Sequence, residues 1–429
     1  MKGESADVVV VGGGPAGSTA AFQLARAGYD VLLVDKARHP RETVGESLLP
    51  SVWPYLDMLG VSDQIVSDGY VKKAGGVVCW DGQLTEISFR DFGYSRPGLH
   101  VERAPFDKLL LDAARGAGVR VCEGVRAERF VEPDAAGRAE VRLVDEDGAK
   151  FDLPCRLLID ASGQASFLAR QRDGRRLDPD FRFVSLWGYF ANSNYVSSGG
   201  VVRRREEMAA HPPMTFVSRL AEWGWSWHIP LRETTSVGLN IPVDLYRRDA
   251  ARHASMRQYF LSACAETPHL GRLLCEAELV GGRVQTIRDY SYAADDLSGP
   301  GYFIVGDAAG FVDPIFSLGV VMALYSGHLA AWAADRSLRN PAAAAASAQL
   351  FAGQLKGRHA LARAMALPSD KARASQEARR YFEFFSESEK ELMWAAASMT
   401  TRSANMVRAA GGDKASALKR RELQSLAFP

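Results

Sequence analysis

Cysteine is scarce in this chain: five residues in 429 (Cys79, Cys122, Cys155, Cys264 and Cys275), far apart and with no C-x-x-C pair. An odd, scattered set argues against a disulfide framework and against a thiol-ligated metal, and it suits a reducing cytoplasm, the expected location. An excess of one charge is also missing, since 52 Lys+Arg meet 51 Asp+Glu for a formal net charge of +1. That balance leaves no global field for nucleic acid or an anionic membrane, so any partner surface must be local. No apolar run reaches the roughly 18–20 residues of a membrane span. The run Val8–Val11 near the N-terminus is too short for the core of a signal peptide.

What is present suits a large folded protein. Hydrophobic residues make up 47% and charged residues 24%, and the length leaves room for about two to three domains. The opening is the most legible part. Val8–Val11 reads as a buried parallel strand, followed by Gly12-Gly13-Gly14-Pro15-Ala16-Gly17 and an Ala-rich helical stretch from Ser18 to Ala27. Gly28 stands where a helix-ending glycine is expected, and a second apolar run, Val31–Val34, ends on Asp35. Two later strand ends also carry an acid: Leu157–Ile159 before Asp160, and Tyr302–Val305 before Gly306-Asp307. Aromatic and β-branched residues between about 180 and 245 predict a separate antiparallel sheet. From about 320 onward Ala, Leu, Arg and Lys dominate, which predicts a helical C-terminal region.

Gly12-x-Gly14-x-x-Gly17 between a strand and a helix is a dinucleotide fingerprint. Gly12 permits the tight turn, Gly14 lets a pyrophosphate approach the backbone, and Gly17 allows close helix–strand packing. Pro15 and Ala16 complete the loop. The open N–H groups and the dipole of the helix start favour phosphate. Asp35, followed by Lys36, is placed to accept the ribose hydroxyls of an adenosine. The distant acid-bearing turn at Asp307 makes the layout resemble the FAD-dependent aromatic hydroxylase superfamily, in which the matching aspartate binds the ribityl chain of FAD. Arg103 resembles an arginine of that superfamily near the flavin.

Three segments narrow the resemblance: Gly45-Glu46-Ser47-Leu48-Leu49-Pro50, Lys72-Lys73-Ala74-Gly75, and Trp225-Ser226-Trp227-His228-Ile229-Pro230. Together they resemble the flavin-dependent halogenases over roughly residues 5 to 335. Asp289-Tyr290-Ser291-Tyr292 and Asp313–Ser317 are most similar to the subgroup acting on pyrroles and phenols. The resemblance implies a set of expectations. The fold is α/β: a Rossmann-like, aromatic-hydroxylase-type FAD-binding domain (1–75, 100–180 and 275–330), interleaved with an antiparallel substrate-binding sheet (76–99 and 181–274) and followed by a helical region (331–429). The cofactors are FAD, used as FADH2, with O2 and chloride or bromide. The partners are an NAD(P)H-dependent flavin reductase and, as for many of that subgroup, an acyl or peptidyl carrier protein holding the substrate as a thioester.

The resemblance assigns roles as well. Lys73 is the catalytic lysine that handles hypohalite, although on its own a basic pair such as Lys72-Lys73 reads as solvated. Gly45, Glu46, Ser47, Gly319 and Val320 join the cofactor residues. Trp225, Trp227 and Phe316 wall substrate from flavin, and Ser317, Leu318 and Gly319 hold the halide. The chain departs from the family pattern where Leu318 stands in place of a hydroxyl residue, and where Phe316 replaces the glutamate of tryptophan-directed members, which points away from a free indole. His228 has no second ligand at metal spacing, so no metal is expected. Two basic clusters, Arg203-Arg204-Arg205 and Lys414, Lys419, Arg420 and Arg421, are candidates for docking an acidic carrier. The rival readings are an FAD hydroxylase or prenyl-type reductase of the same fold, and a flavin-binding redox sensor.

Overall fold

The computed structural model describes residues 5–367, 385–400 and 419–428. Strand Ala6–Val11 lies at the centre of an eight-stranded sheet, pairing in parallel with Val31–Asp35 on one side and Lys150–Asp160 on the other. Arg120–Glu123 and Tyr302–Ile304 extend the parallel core outward. The continuous apolar run at Val8–Val11 follows from this position, because helices cover both faces of a parallel sheet. Helix Pro15–Arg26 packs between helices Arg103–Gly116 and Gly319–Arg339. The parallel order places the ends of the first, second and fifth of these strands (Val11, Asp35 and Ile304) along one edge, where a nucleotide is held in open α/β sheets.

A second sheet of nine strands runs from Glu278–Leu279 through Phe183–Ala191, Thr235–Pro242, Trp225–Pro230, Met214–Arg219 and Gly75–Trp80 to Gln83–Ser88. It departs from the expected purely antiparallel sheet in one place, since Met214–Arg219 pairs in parallel with Gly75–Trp80. The crossover joining those two strands is more than a hundred residues long, and local alternation carries no sign of it. Gln285–Arg288 also pairs with Phe183–Ala191, so residues 278–288, read from sequence as part of the FAD unit, belong to this sheet.

The described residues after 340 form helices Ala344–Ala366 and Glu387–Ser398, and they also supply a strand that composition did not suggest. Arg421–Leu423 closes the sheet edge against Gln83–Ser88. That strand exists through a partner more than three hundred residues away.

A third, three-stranded sheet positions the chemistry. Ser47–Leu48 and Val71–Lys73 pair with opposite edges of Gly98–His100, in the registers Ser47↔His100 and Lys73↔Gly98. Gly98, read from sequence as part of the substrate sheet, is the crowded point. A Cβ there would lie 2.5 Å from the Leu48 carbonyl oxygen.

Candidate functional site

The glycine loop is a cradle that side chains would fill. Gly12 has φ +109°, and a Cβ on it would meet the Ala161 carbonyl oxygen at 2.2 Å. A Cβ on Gly17 would lie 1.9 Å from the Gly12 carbonyl oxygen, so the helix can reach the strand only with glycine there. Gly14 caps the helix in an extended conformation with no side-chain cap, and Pro15, Ala16 and Gly17 are buried in the first turn. The first-turn N–H groups therefore remain available to an anion. Both Asp35 oxygens are engaged, accepting from the N–H groups of Gly13 (2.7 Å) and Ala37 (2.8 Å). Each oxygen keeps a lone pair for a further donor. Lys36 is exposed beyond the strand end.

On the opposite side, Asp307 sits within the short 3-10 turn Gly306–Ala308 that follows the strand Tyr302–Ile304. Burial raises its carboxyl to about 6, and the nearby Arg103 opposes that rise. Arg103 holds Asp107 with two hydrogen bonds (2.8 and 3.0 Å) and reaches the carbonyls of Val44 and Gly45. It therefore fastens the loop bearing Gly45, which has φ +108° and whose Cβ position lies 3.0 Å from the guanidinium. Glu46 is buried and accepts from Tyr189 Oη (2.9 Å) and from the Gly45 N–H (3.0 Å). Burial lifts its carboxyl above the usual range. The dinucleotide cradle and this loop fit an FAD bound along the strand edge.

Lys73 is 4% exposed, and its amine donates to Ser47 Oγ at 2.8 Å. Desolvation lowers it to about 7. The plain reading of a solvated basic pair holds for Lys72, which is exposed, and fails for Lys73. Ser47 also receives the Ser317 hydroxyl at 3.0 Å. Ser317, with φ +57°, precedes Leu318 and the helix beginning at Gly319. A mostly apolar cavity opens over Lys73, lined in part by Phe89, Val217, Phe316, Leu318 and Met393. Its roof comes from helix Glu387–Ser398, a contribution no motif signalled. Val320 does not line this cavity; its side chain packs in the core with Leu48 and Leu324.

Trp225 and Trp227 share a face of their strand, as their spacing predicts, with ring centroids 5.7 Å apart. They do not line the Lys73 cavity. They share a core cluster with Val217, Ile315 and Phe316, which do. A Cβ on Gly238 would lie 2.1 Å from the Trp227 indole, so the neighbouring strand is shaped around that ring. His228 is buried and bonded to Ser193 (2.8 Å).

The FAD binding domain family matches residues 5–350 of this chain. A flavin-dependent halogenase of Armillaria mellea is 33% identical over 352 residues, which cover 78% of this chain and 68% of that protein. The chain belongs to the flavin-dependent halogenases. A tryptophan 2-halogenase of Chondromyces crocatus is 35% identical over 76% of this chain and 60% of its own length. The chain thus spans between about three-fifths and two-thirds of such relatives. The solved structure of the myxobacterial chondrochloren halogenase CndH, an FAD-dependent halogenase, aligns at TM-score 0.74 and 26% identity, covering 92% of this chain and 97% of that one. CmlS, a flavin-dependent halogenase, aligns at TM-score 0.73 and 26% identity, over 92% and 72%.

Several residues around the site escaped the motifs. Arg41 lies over the loop, with Nη2 3.4 Å from the Cβ position of Gly14, where a pyrophosphate would pass. It sits in a stretch with no periodicity. Tyr189, Thr215 and His100 reach the site across the second and third sheets, contacts that exist only after folding. The basic clusters are largely spent internally: Arg203 on Glu207, Arg205 on the Leu231 and Thr234 carbonyls, Lys419 on Glu391, and Arg421 on Asp91. Lys414 lies outside the described residues. Among the described residues, no helix is long and apolar enough to cross a membrane.

Asp35→Ala is expected to weaken FAD retention by roughly 1–3 kcal/mol, since it removes an acceptor and orphans the Gly13 N–H. Fluorescence titration measures this, and an unchanged Kd would remove Asp35 from the cofactor site.

Proposed function

We propose that this protein is a two-component halogenase. It would take FADH2 from an NAD(P)H-dependent flavin reductase and use O2 with chloride or bromide to halogenate an electron-rich aromatic, a pyrrole or a phenol, free or carried as a thioester on an acyl or peptidyl carrier protein. The observation that carries this reading is Lys73: a buried amine that desolvation lets lose its proton from about neutral pH upward, at the foot of an apolar cavity and one serine away from the turn before Gly319. Reduced FAD, when bound, supplies with O2 the two-electron oxidation that converts halide to hypohalous acid.

Gly12, Gly14, Pro15, Ala16, Gly17, Asp35, Lys36 and Arg41 would hold the adenosine and pyrophosphate end. Gly45, Glu46, Arg103, Asp307, Gly319 and Val320 would hold the flavin end. Halide would rest on the backbone donors of Leu318 and Gly319, because the Ser317 hydroxyl is already given to Ser47. Lys73 as a free amine takes halogen from hypohalous acid, releasing water, and passes it to the aromatic carbon while the ring's proton returns to nitrogen. A charged ammonium has no lone pair for that step, so its desolvation is functional. Phe316, which lines the cavity, would form the wall that keeps the ring off the flavin, with Trp225 and Trp227 packed behind it in the core.

The test is mass spectrometry of reactions with FADH2, O2 and halide, offering a phenol, a pyrrolyl-carrier thioester and an indole. Halogenated phenol or pyrrole supports the reading. Halogenated indole instead would shift the substrate toward that of the Chondromyces crocatus relative. A hydroxylated product, or FADH2 oxidised with no halogen incorporated, would replace the halogenase reading with a hydroxylase or oxidase.

The halide site makes its own prediction. With Leu318 in place of a hydroxyl, bromide, the more weakly hydrated ion, should be preferred over chloride about tenfold, equal to about 1.4 kcal/mol and near one neutral hydrogen bond. Leu318→Thr should improve chloride use specifically. Competition between the two halides measures both effects.

A further inference from the structure

We infer that His100, acting through Thr215 and Ser47, sets the direction of the hydrogen bonds beneath Lys73 and thereby keeps the lone pair of its amine turned toward the cavity. The inference rests on the halogenase reading of Lys73 and adds to it a positioning residue that the motifs do not contain.

The direction follows from counting protons. His100 Nδ1 lies 3.0 Å from the Pro230 carbonyl oxygen, which only accepts, so Nδ1 carries the proton. In the neutral ring Nε2 is then an acceptor, and its partner at 2.8 Å, Thr215 Oγ1, must donate to it. Thr215 has one hydroxyl proton and has spent it, so Ser47, 3.1 Å away, must donate to Thr215. Ser47 has likewise spent its only proton, so it accepts from Lys73 Nζ and from Ser317 Oγ. Each hydroxyl proton from Ser317 to Thr215 is thereby committed toward His100, and Ser47 accepts with both of its lone pairs. Lys73 gives an N–H to Ser47, which keeps its lone pair off that bond and free to face the cavity.

The chain is sealed from water, since His100 is fully buried and Ser47, Thr215 and Lys73 are nearly so. Burial, with Lys73 nearby, holds His100 well below the ordinary histidine range. The other ionisable groups around it do not offer it a proton. His228, on the tryptophan strand, is itself neutral, and Glu46 turns its carboxylate to Tyr189 and Gly45. Glu102, two residues along, is paired with Arg232. A protonated His100 would donate to Thr215 and free the Ser47 proton to turn toward the amine lone pair or the Ser317 oxygen.

Thr215→Val, made in a Ser317→Ala background because the Ser317 oxygen would otherwise accept the freed proton, keeps the side-chain shape and cuts the chain in the middle, leaving the Ser47 proton with Lys73 as its remaining acceptor. Trace acetylation with acetic anhydride, read by peptide mass spectrometry from about pH 5 to pH 9, measures the free lone pair of Lys73 against Lys72 as internal reference. Lys73 labelling should fall about fivefold in Thr215→Val, the equivalent of one net hydrogen bond, and return in Thr215→Ser, with Lys72 unchanged. Imidazole nitrogen NMR should show His100 as the Nδ1–H tautomer. Undiminished Lys73 labelling in Thr215→Val, a wild-type Lys73 that never labels, or an Nε2–H tautomer at His100 would each overturn the inference. None of these readouts needs halide turnover, so they fail or succeed independently of the halogenation assay.

Discussion

Lys73→Met is expected to abolish halogenated product while FADH2 oxidation and O2 consumption continue, and to make the protein more stable. The folded state lowers this amine from 10.5 to about 7 by desolvation, so near and below neutral pH it must hold a proton its pocket disfavours. That imposes a penalty of about 3–5 kcal/mol. The bond lost to Ser47 returns about 1 kcal/mol, leaving a net stabilisation of roughly 2–4 kcal/mol. Between about pH 7 and pH 10.5 the unfolded lysine is charged and the folded one is neutral. The wild type therefore gains stability as pH rises through that window, and above it the penalty is gone. Urea denaturation near both ends of the window measures the slope, which Lys73→Met should lack. Retained halogenation near the wild-type rate, or equal slopes, would sink the assignment. Lys72→Ala, on the exposed neighbour, should be nearly silent.

Gly17→Ala should do the reverse of what helix propensity predicts. Alanine is favoured over glycine within a helix by about 0.8–1 kcal/mol. Here its methyl would lie 1.9 Å from the Gly12 carbonyl oxygen, a backbone atom that cannot turn aside. The helix must lift from the strand, at an overpacking cost of roughly 2–3 kcal/mol after the propensity gain. Its first-turn N–H groups move with it, so FAD affinity should fall along with stability. Titration of FAD and a urea midpoint report the two effects, and a variant with wild-type values for both would show that the close approach is not required.

The contrast between these two positions shows where the sequence was informative. The cradle was legible because its constraints are local: Gly12, Gly14, Gly17 and Asp35 fall within one strand–helix–strand unit, and the spacing itself encodes the turn, the close packing and the acid at the strand end. Lys73 was found only through motif resemblance, since a lysine beside another lysine carries no local sign of burial. His100 and Thr215 carried no signal at all. They lie 27 and 142 residues after Lys73 and join it through strand pairing and side-chain bonds. The closing strand Arg421–Leu423, the parallel pairing of Met214–Arg219 and the helical roof over the cavity share that origin.

By itself, the sequence determined the nucleotide cradle, the alternation of a parallel and a largely antiparallel sheet, and the tryptophan strand. These depend on periodicity and on glycines that only one backbone shape explains. The tertiary structure alone decided which of two adjacent lysines is buried, that the Ser317 hydroxyl is given to Ser47, and that the tryptophans do not line the cavity. Burial and proton direction are properties of what surrounds a side chain, and here the surroundings are assembled from strands that are distant in the chain.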